Sequence, residues 1–269
     1  LHVLDNDTDK GGRILSITGV TPPGNPNASV TVAPDGQTLI YTLSDAGGDS
    51  DFTYQLSNGV AEERGTVQVT DKGLTSNTPP KLRDGWSQPT LTVASGGTLP
   101  VQVLNDWRDD EGDPPALATA EPASGITNIT ADGRIEFTAA AAEASTVVKL
   151  GYSVSDGRSD PVPQSLDITA LGSGEIKSTP VGTEPDVARG EVGRPIPINP
   201  LVNDIPGADP LNPKATMNLA APVTEKEGLQ VESDLTSGQV LVTAAQPGHY
   251  FLEYAVGFGS AAVAQGSMR

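Results

Sequence analysis

Val148-Lys149-Leu150-Gly151-Tyr152-Ser153-Val154-Ser155-Asp156-Gly157 alternates apolar residues with small or polar ones and stops at an Asp-Gly turn. A period of two puts Val148, Leu150, Tyr152 and Val154 on one face of a strand, set against a core. The same device stands on either side in the chain, where Phe52, Tyr54 and Leu56 share a face and so do Leu252, Tyr254 and Val256. Tyr54, Tyr152 and Tyr254 are separated by 98 and 102 residues. A second landmark keeps that clock: Asn6-Asp7, Asn105-Asp106 and Asn203-Asp204, separated by 99 and 98 residues, each stand behind an apolar pair and open an Asp/Gly/Pro-rich loop. One supersecondary unit is written three times. A period near one hundred residues exceeds the solenoid range and fits separately folded modules in tandem.

Outward from the central strand, short alternating runs cut by turn formers give the pattern of an all-β sandwich. Seven strands are predicted in the middle module: 90–94, 98–104, 116–120, 126–130, 134–138, 146–155 and 164–170. Asp132-Gly133 signals a hairpin, echoed by Asp35-Gly36 and Ser237-Gly238. Only 139–144 has helix-forming composition, and six residues are too few to nucleate a helix alone. Proline-bearing stretches at 77–80 and 178–185 read as short, semi-rigid linkers. The expected modules are 1–76, 77–174 and 175–269, separated by linkers that predict an elongated molecule. On the landmarks, the first module starts near its second strand, which predicts an unpaired sheet edge there.

Composition narrows the function classes. The 34 acidic and 16 basic residues give a formal charge of −18. Such a charge repels a phosphate backbone, and no Lys/Arg cluster with interleaved aromatics offsets it, so nucleic acid is excluded as a partner. With no cysteine there is no disulfide framework, thiolate nucleophile or Cys-based metal site. No apolar run is long enough to span a bilayer, so no membrane contact by this segment is expected. The two histidines, His2 and His249, fall in different modules, and no G-x-S-x-G, H-E-x-x-H or phosphate-cradling glycine loop occurs. Catalysis is therefore not expected, and neither is a Lys-Asn crosslink through Lys149, which falls on the face opposite Val148 and Leu150.

Hard oxygen ligands are the chemistry the loops do offer. Asp106, Asp109, Asp110, Glu111 and Asp113 crowd one loop of the middle module, a candidate calcium set. Asp5, Asp7 and Asp9 make a weaker set in the first, which is not an EF-hand because Lys10 and Ser16 replace the glycine and glutamate that loop requires. The third module has only Asp204 and Asp209. The alternative use of such residues is to cap their own backbone in a solvated turn. Trp107 follows Asn105-Asp106 in this polar loop, so a partly exposed ring is expected there. Trp86 and Trp107 are the only tryptophans, and Trp107 is the candidate sugar-stacking platform.

Val3-Leu4-Asp5-Asn6-Asp7-Thr8-Asp9, Phe52-Thr53-Tyr54-Gln55-Leu56-Ser57-Asn58-Gly59 and Asn77-Thr78-Pro79-Pro80 together resemble bacterial cadherin-like or Ig-like tandem repeats of large surface proteins. The middle module repeats the pattern in Val103-Leu104-Asn105-Asp106 and Tyr152-Ser153-Val154-Ser155-Asp156-Gly157, whereas the third departs from it at Ile205-Pro206 and after Tyr254. The resemblance implies tandem antiparallel β-sandwiches in an extended extracellular or cell-surface array, with calcium held near module junctions in many members. The expected function is an adhesive scaffold or spacer, with flanking modules of the same chain and a surface protein or glycan as partners. The alternative is a set of carbohydrate-binding or accessory modules of a larger secreted enzyme.

Overall fold

The computed structural model describes residues 1–73 and 76–269; Leu74 and Thr75, inside the range expected for the first module, lie outside the described residues. The alternating runs form strands wherever one face finds apolar cover. In the first module these are β1 (Ser16–Val20), β2 (Ala28–Val32), β3 (Leu39–Leu43), β4 (Ser50–Ser57) and β5 (Glu62–Val69). They pair as a β1-β4-β5 sheet facing a β2-β3 hairpin.

The second module contains β6 (Lys81–Leu82), β7 (Leu91–Ala94), β8 (Thr98–Val101), β9 (Trp107–Arg108), β10 (Ala116–Pro122), β11 (Ile126–Ile129), β12 (Ile135–Thr138), β13 (Thr146–Ser155) and β14 (Val162–Leu171). Its sheets run β10-β13-β14-β7 and β11-β12-β8, with a small β6-β9 pair beside them. All seven strands expected from the sequence are present. β14 and β7, the last strand of this module and an early one, pair in parallel.

In the third module, β16 (Met217–Leu219), β19 (Leu252–Phe258) and β20 (Ala264–Met268) face β15 (Ile196–Ile198), β18 (Val240–Ala244) and β17 (Leu229–Ser233). The three hairpin turns read from the sequence put Gly36, Gly133 and Gly238 at φ of 66°, 79° and 75°, a backbone region that glycine alone enters freely. Residues 139–144 form no helix.

Each sandwich buries its own cluster. Leu150 and Val154 of β13 are fully enclosed with Ile135, Phe137 and Ile168, while Tyr254, Val256 and Val240 do the same in the third module. The first has the thinnest core, a cluster of Ile17, Leu39, Phe52 and Tyr54. The cause is visible in the sheets. β14 is flanked by β7, and β20 by the segment around Asp186, which bridges Met268 in parallel. β5 has β4 on one side and no strand on the other among the described residues.

The tyrosine landmarks lie in the cores, as the period required. In the first and third modules the ring lies across a glycine on the neighbouring strand, Gly65 or Gly266, where an added Cβ would strike it. In the second, Tyr152 faces Gln164 instead and packs edge-on against Trp107, with ring centroids 6.2 Å apart and planes at 80°. Trp107 is therefore not a partly exposed loop residue. It is 3 % exposed and belongs to the main core, because the chain pairs as β9 with β6 directly after the Leu104–Asp106 turn, turning the ring inward.

The elongated arrangement expected from the linkers also gives way. The third module turns back onto the first: the Arg269 guanidinium donates to the carbonyls of Ile14 and Ser57, and Arg189 donates to that of Ile17 at 3.2 Å. Proline stiffens each linker locally, but it does not oppose a turn between modules when buried carbonyl acceptors meet guanidinium donors across the gap.

Candidate functional site at the module junctions

The two landmarks, far apart in sequence, meet in space. The Tyr54 hydroxyl donates to Asp7 Oδ2 at 2.7 Å, and the Tyr254 hydroxyl donates to Asp204 at 3.0 and 3.1 Å. Burial together with the facing carboxylate pushes both phenols above their usual range. In the second module, Asp106 instead accepts from Arg83 Nε at 2.8 Å and from Trp86 Nε1 at 2.9 Å. The Asn-Asp aspartate is thus an anchor that ties the loop entering each sandwich to a residue of the core or the linker.

The middle loop's other acids are divided among separate partners. Asp109 Oδ1 caps the backbone N–H groups of Glu111 and Asp113, both at 3.0 Å. Asp110 pairs with Lys81 at 2.9 Å and Asp113 with Arg158 at 2.9 Å. Glu111 accepts from the Thr78 hydroxyl at 2.7 Å, and that bond holds its carboxyl below the usual range. In the first module, Asp5 forms a two-toothed pair with Arg108 at 2.7 and 3.0 Å, and Asp9 accepts from the Arg13 backbone and from Asn58. Among the described residues, no three His, Cys, Asp or Glu side chains converge as a metal-binding group.

These pairings make the first junction. Arg108–Asp5 joins the first two modules, while Asn77 donates to Asp156 at 2.9 Å and Thr78 to Glu111, fastening the linker onto the second. The Ser159 backbone N–H leads the donors that hold Asp156 far below the ordinary carboxylate range. At the second junction, Ile205 packs on the middle core and Gln102 donates to the Val202 carbonyl. A hollow of about 500 Å³ there is lined by Arg83, Asp106, Glu184, Asn203 and Asp204. A second hollow, of about 450 Å³, lies where the third module meets the first, with Arg189, Arg269 and His249 at its rim and Ile17, Ile198 and Leu252 inside.

The chain matches the family model described as bacterial Ig domain twice, over residues 1–70 and 77–169. It belongs to the bacterial Ig domain family. The bacterial Ig repeats seen in the match are the two whose loop motifs carry the resemblance, and the third module shares their sandwich plan without being matched. None of the curated proteins compared matches the chain. Among solved structures, an endo-fucoidan hydrolase of glycoside hydrolase family 107 is 16% identical with a TM-score of 0.24, covering 94% of this chain and 38% of the hydrolase. Surface layer protein SbsC, domains 4–9, is 10% identical with a TM-score of 0.37, covering 94% of this chain and 47% of that one. The human desmocollin-1 ectodomain is 9% identical with a TM-score of 0.26, covering 95% and 50%. The chain thus spans 38% to half of the length of these proteins, and likeness at this level carries no statement about activity.

His2 and His249 are both exposed and belong to different modules. Trp86 is half-buried against the core with its indole N–H on Asp106, and Trp107 is enclosed in that core. Sequence reading passed over Arg108, Asp186, Arg189 and Arg269. A local signal was available in the acids of Glu184-Pro185-Asp186, 17 residues ahead of Asn203.

Proposed function

We propose that this chain is a non-catalytic run of bacterial Ig modules that serves as a scaffold or spacer in a protein exported to the cell surface or medium. The observation that carries this reading is how the conspicuous side chains are used. Acids of the middle loop are paired inside their own module, as in Asp110–Lys81 and Asp113–Arg158, and other charged groups join module to module, as in Arg108–Asp5 and Arg269 on Ile14 and Ser57. Among the described residues, no helix is long and apolar enough to cross a membrane. The burial of Trp107 supports this reading over one in which that ring stacks on a sugar.

Calcium enters this reading at the middle loop alone. A cation there has to displace Lys81 from Asp110 and Arg158 from Asp113, so calcium titration of the full chain should show weak binding that weakens further when Asp113→Asn removes a ligand. Mechanical extension tests the scaffold role. Pulled from its two ends, the chain should give three separate unfolding events, each releasing roughly 25 to 35 nm at ~3.3–3.6 Å per residue. A single event, or polysaccharide hydrolysis by the purified chain, would overturn the reading.

A further inference from the structure

The third module holds a pair of carboxylic acids where the others hold one. Asp186 and Asp204 are 9 % and 6 % exposed and lie side by side with the Tyr254 hydroxyl. Asp204 accepts from Tyr254 and from the Glu184 backbone N–H at 2.9 Å, whereas Asp186 Oδ2 is enclosed and has no partner. The charged groups around the pair do not neutralise it. On its own segment stands Glu184, another acid; across the junction Arg83 is bound to Asp106; and the Arg269 guanidinium turns away to Ile14 and Ser57. Asn203 and Tyr254 are the remaining polar neighbours. Two enclosed carboxylates without a cation repel each other and are poorly solvated, so one of them retains a proton. A tyrosine hydroxyl has one hydrogen to give and two lone pairs, so it can donate to an ionised Asp204 while accepting from a protonated Asp186.

Asp186 sits in a strap that carries the contact with the first module. Its backbone N–H donates to Ser267 O at 3.0 Å and its carbonyl accepts from Arg269 N at 3.0 Å, and Ala188 N donates to Arg269 O at 2.9 Å. Three residues beyond Asp186, Arg189 reaches Ile17 O, and Val187 and Arg189 press on the β2–β3 turn at Gly36. Arg269, zipped to the strap, supplies the other contacts. At its other end the strap is held by the Asp204 carboxylate.

We propose that the Asp186–Asp204 pair is a proton-operated latch: protonated, it seats the strap on β20 and keeps the third module closed on the first; doubly ionised, it frees the strap and lets the modules part. Burial, then the neighbouring Asp204 charge, pushes Asp186 up to about 7, and burial pushes Asp204 up to about 6. In an unfolded chain both titrate near ~4. The folded pair therefore holds protons that the open chain releases, so closure is favoured in mild acid and is lost as pH climbs to about 7 and above. The first module supplies an internal control, because its equivalent Tyr54–Asp7 contact has a single carboxylate.

Hydrogen exchange of the full chain tests the latch, read at the amides of Asp186, Ala188 and Arg269 and corrected for the intrinsic pH dependence of exchange. Between pH 5.5 and 8.0 protection in the strap should fall by about tenfold or more, with a parallel rise in the radius of gyration by small-angle scattering. Asp186→Asn keeps the shape of the protonated acid and should stay protected and closed at both pH values, and Asp204→Asn should behave the same way. A wild-type strap equally protected at both pH values, or variants that open just as the wild type does, would overturn the latch. Restoration of wild-type protection at pH 8.0 by about 5 mM calcium would overturn it too, because the pair would then be a cation site.

Discussion

Replacing Trp107 with alanine should be among the most damaging single changes in the second module. The ring is 3 % exposed and sits edge-on to Tyr152. A tryptophan of this kind buries about 150–250 Å², which at ~25 cal/mol/Å² is roughly 4 to 6 kcal/mol as an upper bound. Core replacements of large aromatics by alanine cost about 3–5 kcal/mol, so a loss near 4 kcal/mol is expected. The indole N–H supplies a finer test, because it is enclosed without an acceptor. Trp107→Phe keeps a ring against Tyr152 and removes that unsatisfied donor, whose burial costs about 1–3 kcal/mol; the gain offsets part of the lost area, so this variant should stay within about 1.5 kcal/mol of wild type. Urea melts of the full chain followed by tryptophan emission report on this module, since both tryptophans lie in it and Trp86 survives the change. With a slope of about 1–3 kcal/mol/M, alanine should lower the midpoint by roughly 1.3–4 M. A shift under about 0.3 M would refute the placement of Trp107 in the core, and a phenylalanine variant as damaged as the alanine one would refute the account of the indole N–H.

Three further outcomes are expected. Tyr54→Phe removes the hydroxyl that donates to Asp7 and should cost the first module about 1–2 kcal/mol, measured by its own thermal transition, with Asp7→Asn losing much of the same amount. Gly65→Ala forces a Cβ into the Tyr54 ring and should cost about 1–3 kcal/mol, whereas Gln164→Ala, at the matching position of the second module, should be tolerated; equal costs would contradict the ring-over-glycine packing. Arg269→Ala removes the donors to Ile14 and Ser57 and should raise the scattering radius of gyration above the ~18 Å expected for a compact chain of this length, while leaving each module's own melt nearly unchanged. An unchanged radius would show that the guanidinium is not what docks the modules.

The sequence by itself determined the strands, the three hairpin turns, the buried tyrosine faces and the membership of a tandem β-sandwich class. These are legible because a period of two and an Asp-Gly or Ser-Gly turn are local facts, settled within about ten residues by backbone geometry. Recurrence of Asn-Asp and Tyr also marked which residues matter, but not that Tyr54 would reach Asp7 or Tyr254 would reach Asp204, contacts that close loops of 47 and 50 residues. Only the tertiary structure decided the fate of the polar loops. Trp107 looks exposed among Asn105, Asp106 and Arg108 until β9 pairs with β6 and turns the ring inward. Asp5, Asp110 and Asp113 stand among other acids in the sequence, and only the packing brings Arg108, Lys81 and Arg158 to them from elsewhere in the chain. The closure of the third module on the first rests on Arg189 and Arg269, which meet carbonyls 172 and 255 residues away. A charge has no periodicity to declare its partner: its energy depends on what long-range packing brings within a few ångströms and how much water that packing removes.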